Sequence, residues 1–158
     1  MVLLAIISAT AFTTRKIPDE RIAAEQAKFW RRIKQGLTGS DWNEYWEAMN
    51  HAMVPRSDPV YRLRGRVVSS KPTEHPNELI IAMSRRHAPE VTLELVDKQR
   101  KAAGLKKPVR PGTTVEFVGM AKGFQRDPFM LTIEVDPDLD PYGGLWIVRW
   151  DKERERPK

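Results

Sequence analysis

The segment Glu90–Ala121, EVTLELVDKQRKAAGLKKPVRPGTTVEFVGMA, carries two strand patterns separated by a short helical one. Val91, Leu93 and Leu95 alternate with Thr92 and Glu94, and Val115 and Phe117 flank Glu116 in the same way. A period of two marks half-buried strands. Between them, Asp97–Gly104 suits a short helix ended by its glycine. Working outward, VYRLRGRVV (60–68) and ELIIAMS (78–84) precede this unit and FMLTIEV (129–135) follows it, all rich in β-branched or aromatic residues. The order is therefore β-β-β-α-β-β.

That order predicts a fold of the α+β class, mainly β: a five-stranded Greek-key barrel on the OB-fold plan, with its helix between the third and fourth strands. An SH3-like barrel, the nearest competitor, normally lacks that helix. The first OB strand is long and bent, and Gly65 is placed to relieve the bend. LRGRVVSS, PGTTVEFVGMAKGF and PFMLTIEV carry glycines and apolar positions at Gly65-Arg66-Val67, at Pro111-Gly112-Thr113-Thr114-Val115 with Gly119, and at Phe124. On these features, residues of about 60–136 resemble the bacterial tRNA_anti-like family of OB-fold domains. The resemblance implies kinship with anticodon-binding domains and brings no catalytic residues with it.

Ahead of the barrel, residues 18–37 read as a helix, with Pro18 in the first turn, Asp19 and Glu20 at the positive end of the dipole and Gly36 to close it. Ile22, Gln26, Phe29, Ile33 and Leu37 recur at helical spacing, with Trp30 beside them. A second helix begins near Ser40 or Asp41, where Asp41 and Glu44 fit a capping box, and Trp42, Tyr45, Trp46, Met49 and Met53 form its apolar face. The expected organisation is an apolar N-terminal segment (1–17), a helical hairpin (18–56), the barrel (57–136), and a C-terminal strand with a charged tail (137–158). Residues 1–12 are apolar but too short to span a bilayer, which takes ~20 residues. They read either as the remnant of a signal or anchor whose start lies upstream of Met1, or as a short buried element of a cytoplasmic protein.

The formal charge of +6 is concentrated in the middle: residues 60–122 hold 13 Lys/Arg against 6 Asp/Glu. The absence of cysteine excludes disulfide frameworks, thiolate metal sites and thiol catalysis. His51, His75 and His87 show no metal-ligand spacing, and there is no phosphate-cradling glycine loop. The aspartates of DPDLDPYGG lack the glycine and closing glutamate of a calcium loop. The expectation is thus a protein that is not an enzyme and holds no metal or cofactor, with no small-molecule substrate identified.

OB-folds bind on the face of strands two and three, framed by loops. Here that face offers Ile80, Ala82, Thr92 and Glu94 as outward residues, with neither aromatic nor base. Stacking on single-stranded nucleic acid needs both. A rim of candidate ligand residues lies on the flanking segments: Lys71, His75, Arg85, Arg86, Lys122, Phe124 and Arg126. A separate basic patch comprises Lys98, Arg100, Lys101, Lys106, Lys107 and Arg110. Both sets also fit plain solvated charge, with Phe124 folded back on the barrel end. The functional expectation is a non-catalytic binding or adaptor module for a protein or envelope component. The alternative is nucleic-acid binding through the patch at 98–110 and the barrel loops. In YRLRGRVVSS, Arg62, Arg64 and Arg66 are read as the solvated side of the first strand, with Tyr61 on the core side and an Arg–Glu116 pair across to the fourth strand.

Overall fold

Alternating patterns become strands and the 3.6-residue patterns become helices in the computed structural model, which describes residues 19–55, 60–84, 88–102, 105, 108–138 and 143–149. Helices α1 (Asp19–Thr38) and α2 (Trp42–Met49) lead into a short strand β1 (Met53–Val54). There follow β2 (Leu63–Lys71), β3 (Glu78–Ala82), β4 (Val91–Leu95), α3 (Asp97–Ala102), β5 (Thr114–Arg126), β6 (Phe129–Val135) and β7 (Gly144–Arg149). The class is α+β, with one mostly β sheet of seven strands and a leading helix pair.

The pairings organise around β5, the longest strand at 13 residues. Antiparallel pairs join β2 to β3, β3 to β4, β5 to β2 and β5 to β6, while β4 and β6 run parallel. Strands β1 and β7 add to β5 at Gly119–Met120 and at Thr114–Val118. The apolar run at 145–149 therefore lies in an additional strand, with Trp146 opposite Glu116; Trp150 lies outside the described residues. The buried face collects Leu63, Val67, Leu79, Ile81, Val91, Leu93, Val115, Phe117, Leu131 and Ile133, each at 2% exposure or less.

The helix pair packs on this sheet. Trp30, Ile33 and Leu37, three and four residues apart on α1, are buried in the common core. Trp30 meets Phe129 edge-on at 6.0 Å, and the ring of Phe124 packs against Trp42 and Trp46 of α2. Gln26 bonds both backbone groups of Arg64, donating to its carbonyl (2.6 Å) and accepting from its N–H (2.8 Å). This side chain satisfies the edge of β2 where β3 has ended.

Several expectations need correction. Helix α1 runs through Gly36, which serves packing instead: a Cβ there would lie 2.5 Å from the Tyr45 ring. Asp41 stands at the N-cap of α2 with φ −97° and ψ 28°, outside the extended region that aims a capping side chain, and makes no capping bond. Tyr61 precedes β2 and is 67% exposed, so the core alternation starts only at Leu63. Strand β2 carries a register irregularity between Val67 and Ser69. Gly65 is required by close approach, because a Cβ would collide with Ile81 Cγ2 and sit 3.1 Å from the Ala82 carbonyl oxygen. Ile80 and Ala82 are buried, so beyond Glu78 the outward side of β3 is covered and does not face solvent. Finally, Ser69–Lys71 and Lys122–Arg126 belong to strands β2 and β5, not to loops. A bulge between Ala121 and Gly123 interrupts the alternation that would have marked β5 as continuous.

The Tyr45–Gly36 contact gives a pH prediction. Burial pushes the Tyr45 phenol above its ordinary value of 10.0, against the opposing pull of the Arg32 guanidinium. A raised folded-state value means that this contribution to stability is intact below the unfolded value and is lost as pH rises through the folded one. Urea midpoints measured from neutral pH to above about pH 10 should fall more steeply for the native chain than for Tyr45→Phe. Equal slopes would show that Tyr45 is not responsible.

Candidate functional site

Strand alternation places Glu78, Glu94 and Glu134 on the outward face of β3, β4 and β6, and the register aligns them. Glu78 is opposite Glu94, and Glu94 is opposite Glu134. The side chains line an open cleft of about 310 Å³, together with Asn77, Leu95 and Val96. Like charges directly opposite one another on a sheet are unfavourable. Two of the three are compensated from the ends of the row, Glu78 by Lys71 at 3.5 Å and Glu134 by Lys122 at 3.0 Å. Glu94, in the centre, is exposed and has no ion-pair partner among the described residues. The row reads Lys71–Glu78–Glu94–Glu134–Lys122 across the face.

The rim residues do not form one ligand pocket. Lys71 and Lys122 are drawn into the carboxylate row. His75 is exposed on the segment after β2, with φ 112°, and its carbonyl accepts from Arg100 at 3.4 Å. Phe124 is committed to the tryptophans of α2, at ring distances of 4.8 and 5.7 Å. Arg126 donates to the Thr38 carbonyl (3.1 Å) and lies 5.2 Å over Trp42. These two therefore fasten the helix pair to the sheet. Arg85 and Arg86 lie outside the described residues.

The basic patch is partly neutralised. Lys98 binds both carboxylate oxygens of Asp138, and Arg100 pairs with Asp97 at 2.7 Å. Lys101 and Arg110 are exposed and without ion pairs among the described residues; Lys106 and Lys107 lie outside them. The arginines of this segment fall as expected: Arg64 of β2 donates twice to Glu116 Oε1 (2.6 and 3.1 Å), and Arg62, just before the strand, once to its Oε2 (3.4 Å). Arg62 also stacks 3.8 Å over Trp146 of β7.

Glu94 alone was visible from the sequence as a carboxylate on the face. Glu78 and Glu134 share the same alternation, and only the register shows that the three align. No group of three His, Cys, Asp or Glu side chains among the described residues is arranged to hold a metal ion. Comparison with protein-family models, curated proteins and solved structures found no match to this chain.

Proposed function

We propose that the protein is a non-catalytic binding or adaptor module on a closed OB-fold barrel of the tRNA_anti-like kind, and that its face takes a Lys/Arg-rich segment of a protein partner. For the barrel, the support is the circuit of pairings from β2 through β3, β4, β6 and β5 back to β2, with a helix between β4 and β5. For the partner, it is the carboxylate row across the cleft. Phosphates brought to that face would meet three carboxylates, of which Glu94 has no ion pair among the described residues, whereas a cationic side chain would relieve their mutual repulsion.

The alternative is nucleic-acid binding, for which Lys101 and Arg110 offer exposed positive charge without ion pairs among the described residues. One titration separates the two. A fluorescein-labelled Lys/Arg-rich peptide and single-stranded DNA and RNA oligonucleotides are titrated at about 50 and 200 mM salt. The peptide is expected to bind, and Glu94→Lys to weaken it by about tenfold or more. Salt-sensitive oligonucleotide binding that is lost in Lys101→Glu/Arg110→Glu, with no peptide binding, would replace this reading by its alternative.

A further inference from the structure

The solvent side of α1 is net basic, with four cations against Glu20 and Glu25 among them, and borders an apolar groove. Arg21, Lys28, Arg31 and Arg32 are all exposed, and at 100° per residue they fall on one side of the helix, opposite Trp30, Ile33 and Leu37. Among the described residues, only Lys28 in this set has an ion pair, with Glu25 one turn away. Beside the stripe, Ile22 is 41% exposed. Next to it Phe29, Ile33, Tyr45, Ala48, Met49 and Met53 line an apolar groove of about 240 Å³. Arg32 lies close enough to this groove for its charge to act on the Tyr45 phenol. The sequence leading into α1 has the same character, an apolar run at residues 1–12 followed by Arg15-Lys16.

We infer that this side of the helix pair docks on the surface of an anionic lipid bilayer, with the arginines and Lys28 against the headgroups and Ile22 and the groove toward the acyl region. Charge complementarity selects an anionic surface. The apolar groove running alongside the charges selects a bilayer over a soluble polyanion, which offers nothing to fill it. No helix among the described residues is long and apolar enough to cross a membrane; the inferred contact is that of a helix face lying in the interface. It uses a different surface from the carboxylate row, and either can fail without the other.

The test is flotation of the full chain with vesicles of phosphatidylcholine alone and with about 30% phosphatidylglycerol. The expected result is binding to the anionic vesicles only, weakened by salt. Arg31→Glu/Arg32→Glu should reduce the partition coefficient by more than about tenfold. Ile22→Glu should reduce it by about fivefold or more, because it removes apolar insertion and adds a repelled charge. Lys98→Glu/Lys101→Glu, on α3, should leave it unchanged. Circular dichroism of each variant confirms that the exposed substitutions leave the fold intact. The inference is overturned by equal or absent binding to the two vesicle types, or by charge reversal on α1 without effect. Tighter binding of this helix face to an oligonucleotide than to the anionic vesicles would also overturn it.

Discussion

Replacing Gly119 by alanine is expected to lower the stability of the chain by about 3 kcal/mol or more, read as a fall in the urea midpoint. At this residue β5 pairs with Val54 of β1, and at the next with Glu134 of β6. A Cβ would run into the Glu134 carbonyl oxygen and lie 2.6 Å from Ile133 Cγ2. Neither obstacle can swing aside. Glu134 is main chain of a strand held by β4 on one side and β5 on the other, and Ile133 is fully buried. The methyl group can be accommodated only by separating β5 from β6. Gly123, four residues along the same strand, provides the control, because a Cβ there would meet nothing within 4 Å. Gly123→Ala should therefore be close to neutral. If the two alanine variants unfold at the same urea concentration, the close approach at Gly119 does not govern how β5 and β6 pack.

The second large effect is expected at Lys34. Its ammonium lies 2.6 Å from Glu90 Oε1, and the Glu90 side chain is only 7% exposed. Glu90 Oε2 has no hydrogen-bond partner among the described residues. The backbone around Glu90 is fixed, donating to Ile81 and accepting from Leu131, so only the side-chain torsions are free to move the carboxylate. Lys34→Met keeps the stem and removes the charge, which leaves an unpaired buried carboxylate. Losing one partner of a fully buried pair costs about 3–5 kcal/mol, and screening at the partly exposed lysine reduces this to about 2 kcal/mol. The double variant Lys34→Met/Glu90→Leu should recover most of the loss, since an apolar pair of similar size needs no desolvation. A neutral single variant, or a double no more stable than the single, would show that the pair is not what holds α1 to the start of β4.

Features set by neighbours in the chain were legible in advance. The strands flanking Asp97–Ala102, the helical spacing of Trp30, Ile33 and Leu37, and the outward alternation of Arg62, Arg64 and Arg66 are all local patterns. The pairing of Arg64 with Glu116 followed from the alternation once the first and fourth strands were taken as neighbours. Read from the sequence, Phe124 and Arg126 fall on a loop rim, because the bulge between Ala121 and Gly123 breaks the period by which a strand is recognised. Their fastening role depends on tryptophans some eighty residues earlier in the sequence. Gln26 is a further case. On the helix it is one polar residue among several, and its task, satisfying the open edge of β2, exists only because β3 ends at Ala82.

The sequence by itself determined the mainly β class, the leading helix pair, the positions of five strands and the short helix among them. Each of these rests on periodicities of two or 3.6 residues, which a chain carries wherever it goes. The tertiary structure alone decided that Glu78, Glu94 and Glu134 stand in one row and that Phe124 is packing. It also decided that one side of α1, net basic and uncovered by any other described residue, lies beside an apolar groove. Such facts depend on register and docking between segments far apart in the chain, where a shift of one residue would turn each side chain to the opposite face.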